Sequence, residues 1–220
     1  MSEYLIQDTT LTGIADAIRE KTGGTVPVPV SDMAAQIAGI STGGGGDIDA
    51  LIDRTITEIS SNITSIGSNV FYECSELTTA DFPVATSIGN YAFYICSALT
   101  TADFPVVTDI GSNAFYECSE LTTADFPLVT SIASNAFRYC SKLTVFILRS
   151  ETIAKLGSYN VFLSTPIESG TGYIYVPSAL IEQYKVATNW STYAAQFRAL
   201  EDYTVDGTVT GELDPAKTGT

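Results

Sequence analysis

From Ile66 onward, apolar positions fall into a fixed frame. Phe71, Phe93, Phe115 and Phe137 recur every 22 residues. The same interval separates Leu77, Leu99, Leu121 and Leu143, and also Ile66, Ile88, Ile110 and Ile132. Phe-Pro pairs stand at 82–83, 104–105 and 126–127. The unit reads Ile-Gly-x-x-Ala-Phe-x-x-Cys-x-x-Leu-Thr-Thr-Ala-Asp-Phe-Pro, with Val70 and Ala133 as small deviations. A constant period of this length marks a solenoid, in which each unit forms one coil and buries its apolar side only by stacking on neighbours. The spacing predicts that Leu77, Ala80 and Phe82 point inward on a strand, while Thr78, Thr79 and Asp81 face out. Residues 66–71 are expected to return the chain along the other side as a short helical turn.

The flanks lack the period. Leu11, Ile14, Ala15 and Ile18 share one helical face, with Thr10 placed to cap it and Gly23-Gly24 to stop it. Ser31 is placed to cap a second short helix through Met33 and Ile37. Residues 1–40 thus read as a helical attachment module, and 41–47 as a glycine-rich linker. The solenoid is expected over 48–177. It begins with a degenerate coil in which Ile56, Ile59 and Ile63 are inward, and it ends where the pattern decays. There, the stretch from Leu156 to Phe162 carries one extra residue, Thr165 replaces a cysteine, and residues 172–177 predict a last strand. Over 178–204, Ser178 is expected to cap a helix bearing Leu180, Ile181 and Tyr184. Ser191 is expected to cap another bearing Tyr193, Ala194 and Phe197. Together these would close the stack, with 205–220 as a tail. The fold class is therefore an α/β solenoid with a parallel sheet on one side, a small N-terminal helical module and a helical C-terminal cap.

Composition removes most chemistries. A net charge of −15 over 220 residues repels nucleic acid. The absence of histidine excludes a Ser-His-Asp triad, a Cys-His pair and imidazole metal ligands. At 45% hydrophobic the chain is too apolar for disorder. No stretch approaches the roughly 18 apolar residues of a membrane span, so membrane insertion is not expected. The opening Met-Ser-Glu-Tyr-Leu-Ile-Gln-Asp has neither the basic nor the apolar region of a secretory signal. Cys74, Cys96, Cys118 and Cys140 keep the repeat period. A disulfide framework is one reading and buried thiols are the other. Equivalent positions in a parallel stack point the same way rather than at each other, which favours thiols acting as small hydrophobes. No Cys-x-x-Cys knuckle or phosphate-cradling loop is present. No cofactor, resident metal or catalytic residue is expected.

What remains is surface. The outward ladder consists of Thr78, Thr79 and Asp81, then Thr100, Thr101 and Asp103, then Thr122, Thr123 and Asp125. Repeated hydroxyls and carboxylates suit a repetitive ligand such as a polysaccharide, bound through many weak contacts. A solvated face kept identical by duplication of the unit is the plain alternative. One carboxylate per strand makes a poor calcium cage. A second row, Tyr72, Tyr94 and Tyr116, lies beside Glu73 and Glu117 and suits sugar rings or simple packing between coils. Residues 55–137 contain no Lys or Arg, so a partner there should be basic, neutral or cation-bridged.

The unit Ala114-Phe-Tyr-Glu-Cys118-Ser-Glu-Leu121 in its 22-residue frame resembles the BspA-like leucine-rich repeats of bacterial surface proteins. The stretch from Leu11 to Thr22, then Ser31-Asp-Met-Ala-Ala, resembles the leader of tail-associated proteins from phages and prophages of gut Firmicutes. Tyr175-Val-Pro-Ser-Ala-Leu-Ile and Asn189-Trp-Ser-Thr-Tyr-Ala resemble their closing segment. The resemblance implies a non-enzymatic adhesion or host-recognition component of a virion, assembled in the bacterial cytoplasm, with a bacterial cell-surface adhesin or a structural spacer as alternatives. The implied partners are a bacterial surface polysaccharide or protein, other virion proteins through residues 1–40, and further copies of the chain.

Overall fold

The computed structural model describes residue 54, residues 56–205 and residues 208–209. The expected helical module at 1–40, the linker at 41–47, the start of the first coil and most of the tail lie outside the described residues. Within them, each coil but the last contributes one strand to each of two sides, and the last contributes to the first side alone. On the first side lie β1 (Glu58–Ser60), β3 (Thr79–Asp81), β5 (Thr101–Asp103), β7 (Thr123–Phe126), β9 (Val145–Leu148) and β11 (Tyr173–Val176). On the second lie β2 (Ser65–Ile66), β4 (Ser87–Ile88), β6 (Asp109–Ile110), β8 (Ser131–Ile132) and β10 (Lys155–Leu156). The first side divides into a three-stranded sheet β1-β3-β5 and a four-stranded sheet β7-β9-β11-β12, where β12 is Phe197–Ala199. The second side is one five-stranded sheet. The strands of all three sheets pair in parallel, and equivalent residues face each other, as in Ala80 opposite Ala102 and Ile88 opposite Ile110.

The second sheet corrects the expectation of strands on one side only, and residues 66–71 do not form a helical turn. They run from a two-residue strand into a turn whose backbone takes left-handed conformations at Asn69 (φ 62°) and Glu73 (φ 57°). Those angles recur at Tyr91 and Ile95, at Asn113 and Glu117, and at Asn135 and Tyr139. A helix cannot continue through them. The turns instead pair with the next coil: the amides of Phe71, Phe93 and Phe115 donate to the carbonyls of Ala92, Ala114 and Ala136 at 2.7–2.8 Å.

Two columns of phenylalanine fill the core. Phe71, Phe93, Phe115 and Phe137 stack at centroid distances of 5.0–5.2 Å. Phe82, Phe104 and Phe126 form the second column at 5.6 and 6.1 Å. Each offset pair adds about 0.5–1.5 kcal/mol beyond area burial. Leu77, Ala80 and Phe82 are fully buried, as the spacing predicts, and so are all four cysteines, which are free thiols. Between coils the backbones approach closely at one row. A Cβ on Gly89 or Gly111 would lie 2.6 or 2.5 Å from backbone atoms of the preceding coil. At Gly157, which meets the Ala133 coil, the nearest approach relaxes to 2.9 Å.

The period lengthens between β9 and β10 and again after β10. Leu156 pairs with Ile132, but Phe162 stacks on Phe137, which accounts for the extra residue. Thr165 caps the four-residue helix α1 (Pro166–Ser169), accepting from the amide of Glu168. The strand β11 is not the last, because β12 pairs outside it. Neither Ser178 nor Ser191 caps a helix. Pro177 leads into a 3-10 turn (Ser178–Leu180) ahead of α2 (Ile181–Val186), and Ser178 Oγ donates to Glu201 at 3.1 Å. Asn189, at φ 65°, leads into a 3-10 stretch (Trp190–Gln196) that stops before Phe197, the first residue of β12. This segment meets the last coil through polar tips. Trp190 Nε1 donates to Ala154 O at 2.7 Å, and Asn189 Nδ2 donates to Leu156 O at 2.7 Å. The Tyr184 hydroxyl accepts from the Ala154 amide at 3.0 Å.

Two substitutions test the stacking. Gly89→Ala forces backbone apart and should cost about 2–3 kcal/mol, seen as a lower denaturant midpoint. Ile95→Asn removes a β-branched residue from a left-handed position and should stabilise by about 1 kcal/mol on the same measurement. Equal midpoints for both variants would contradict the geometry.

Candidate binding surface

The threonine ladder is partly committed to the stack. The hydroxyl of Thr78 donates to Thr57 O at 2.9 Å, that of Thr100 to Thr78 O at 3.1 Å, and that of Thr144 to Thr122 O at 3.4 Å. These hydroxyls retain only acceptor capacity toward a ligand. The neighbouring Thr79, Thr101 and Thr123 lie in β3, β5 and β7, half-buried except for exposed Thr101. Thr122 is exposed, and its carbonyl takes the amides of Thr144 and Val145.

The aspartate row is not uniform either. Asp81 lies opposite Ser60 and Asp103 in the sheet, and it accepts from Ser60 Oγ at 2.9 Å. Asp125 is bound by Arg149, whose Nε and Nη2 reach the two carboxylate oxygens at 2.8–3.2 Å. The side chains are only 8% (Arg149) and 18% (Asp125) exposed, so water screens this pair weakly. The repeat hides this partner because the arginine lies on the next coil, 24 residues on. The only signal is that Arg149 follows directly where β9 replaces the Thr-Ala-Asp pattern with Val145-Phe-Ile-Leu148.

Tyr72, Tyr94 and Tyr116 do form a column, with rings 4.8 Å apart and 11–15° from parallel. Their faces cover one another. Arg54 lies over Tyr72 at 5.6 Å and pairs with Glu73 at 2.6 Å, while the Tyr139 ring meets Tyr116 edge-on at 5.3 Å. Tyr91 packs against Tyr94, and Arg138 lies over Tyr139 at 4.8 Å. What the column offers outward is ring edges and hydroxyls rather than open faces. Burial raises all three phenols above their ordinary value, with the Glu73 carboxylate adding to the rise at Tyr72. Arg138 stands in the tyrosine frame one period after Tyr116, so its place was legible from the sequence, whereas Arg54 lies outside the regular repeats.

The thiols are structural. Cys96, Cys118 and Cys140 donate to the carbonyls of Phe71, Phe93 and Phe115 at 3.0–3.2 Å, tying each coil to the preceding one. Burial pushes the Cys74 thiol from 9.0 up to about 12 and raises the other three strongly. Among the described residues, no group of three acidic or cysteine side chains is placed to hold a metal ion. A cleft of about 450 Å³ beside β10 is lined by residues including Lys155, Thr188, Asn189 and Trp190. Trp190 and Asn189 already bond the strand there.

The family model of the BspA type leucine rich repeat region matches residues 53–171 in six copies, and the chain belongs to that family. Among solved structures, it is similar to a leucine-rich repeat protein from Bacteroides ovatus, with 28% identity and a TM-score of 0.48, covering 64% of this chain and 35% of that one. It is also similar to a leucine rich repeat protein from T. pallidum, with 18% identity and a TM-score of 0.47, covering 55% of this chain and 58% of that one. A leucine rich cell surface protein from Faecalibacterium prausnitzii shows 30% identity and a TM-score of 0.31, covering 61% of this chain and 36% of that one. The chain therefore spans from about a third to under two thirds of the length of these structures. No curated protein matches it.

A thiol reagent should label none of the cysteines in the native protein and four after denaturation; labelling before unfolding would contradict their placement. The raised Cys74 thiol also fixes a sign. The native state holds this proton more tightly, so its contribution to stability is complete below pH 9.0 and is lost as pH rises toward about 12. Denaturant midpoints should fall across that window.

Proposed function

We propose that this BspA-type repeat chain is a non-enzymatic binding module that contacts a bacterial surface ligand, glycan or protein, as a tail-associated component of a phage or prophage. Repeats of this family are typically non-enzymatic. The observation that carries the binding reading is the in-register side β1-β3-β5, which offers Thr79 and Asp81, then Thr101 and Asp103, at the same place on successive coils. Such a surface engages a partner through many equivalent weak contacts. In this reading, residues 178–204 cap the stack and residues 1–40 attach it to other virion proteins. The virion assignment rests on the flanking motifs at 11–22, 175–181 and 189–194.

A bacterial cell-surface adhesin is the second reading, since BspA-like repeat proteins are often found at the cell surface. Both predict the same first experiment. Fluorescently labelled protein should bind a few strains of a Gram-positive gut panel saturably, and unlabelled protein should compete. Absence of binding to every strain, by protein that unfolds cooperatively, counts against both readings and favours a structural spacer.

A further inference from the structure

We propose that the corner joining the two sides of the solenoid docks a protein segment that presents Lys or Arg side chains beside apolar ones. The inference rests on the binding-module reading and names its partner class. Each Phe-Pro pair turns the chain from the first side toward the second, and the residue after the proline sits on the outside of that turn. In successive coils these residues are Val84, Val106 and Leu128, with Val84 42% and Leu128 46% exposed and Val106 half-buried. Equivalent positions of the three coils stack in register through β4, β6 and β8, so the three form one apolar stripe along the solenoid.

The polar groups beside this stripe decide what it can accept. On one side run Asp81 and Asp103 and on the other Asp109, while the cations stand at the Leu128 end, where Arg149 holds Asp125 and Lys155 lies opposite Ser131. Several threonine hydroxyls on the stripe's flanks are donated along the stack, those of Thr78 and Thr100 on the first side and of Thr86, Thr108 and Thr130 on the second, each to a carbonyl of the preceding coil at 2.9–3.2 Å, and Thr108 also reaches Asp109. Ser60, the serine beside Asp81, donates to that carboxylate. The rim therefore carries more acceptors than donors, with the Thr79 and Thr101 hydroxyls as its remaining donors. A complementary partner must supply donors, positive charge and apolar surface together. Ammonium and guanidinium groups are donors without acceptors, and their stems are apolar. An anionic polysaccharide meets repulsion here. A neutral one finds no open aromatic face, because the tyrosine column is closed on itself.

The test uses the full chain and a short fluorescent peptide of alternating Lys and Leu. Its Glu-Leu counterpart and a neutral dextran serve as comparisons. The lysine peptide should bind saturably and weaken with salt, while the other two should not compete. Val84→Thr with Leu128→Thr, both at exposed positions, should weaken binding by about tenfold or more, and Tyr159→Ser, at an exposed site elsewhere, should leave it unchanged. No peptide binding, equal binding by the double variant, or competition by dextran overturns the proposal. The same variants applied to the bacterial panel separate the two levels. If cells bind the double variant as well as the native chain, the corner is not the docking site and the binding-module reading stands. If cells bind neither, that reading fails as well.

Discussion

The structure depends on one constraint: the backbone of each coil finds its hydrogen-bond partners in the adjacent coil, and it does so only if the coils stay in phase. The pairing of Ala80 with Ala102 and of Ile88 with Ile110, and the turn amides of Phe71, Phe93 and Phe115, all require the same 22-residue offset. A slip of one residue would put Thr79 inside and Ala80 outside. Buried backbone groups would then lose partners at a cost of about 1–3 kcal/mol each. Phase is thus enforced simultaneously by burial and by hydrogen bonding.

The same constraint shapes the surface. Hydroxyls and thiols that look free in a single unit are recruited along the stack, and aromatic rings that look available close on their neighbours. Function is therefore left to what faces outward beside those bonds: carboxylate oxygens, a few apolar corner residues and the edges of rings. The acidic character of the chain is concentrated where cations are absent. At the C-terminal end Arg149, bound to Asp125, interrupts the acidic row and sets a chemical boundary to the uniform side.

The repeat, the inward residues and the burial of the cysteines were legible because each recurs at the same place, so packing demands show as pattern. The second sheet was not legible. Its strands are two residues long and carry a single inward residue, as in Ser65–Ile66, so no alternation exists to be read. The left-handed turns were hidden because the repeat places Tyr91 where other coils have Asn, and Ile95 where others have Glu or Tyr. Backbone pairing between coils overrides what those side chains prefer. The C-terminal serines read as caps by local rule, but Pro177 and Asn189 set the backbone there instead. Of the candidate site, the sequence gives the rows but not their engagement, since a hydroxyl's partner on the next coil is a carbonyl, which carries no residue signature.

The most direct test of the phase requirement is to delete one whole period and compare it with half a period. Removing residues 91–112 joins Asn90 to Asn113 in the same frame, whereas removing residues 91–101 breaks every row. The account predicts a cooperative unfolding transition and native-like circular dichroism for the first deletion, and their loss for the second. A folded half-period deletion, or an unfolded whole-period deletion, would contradict it.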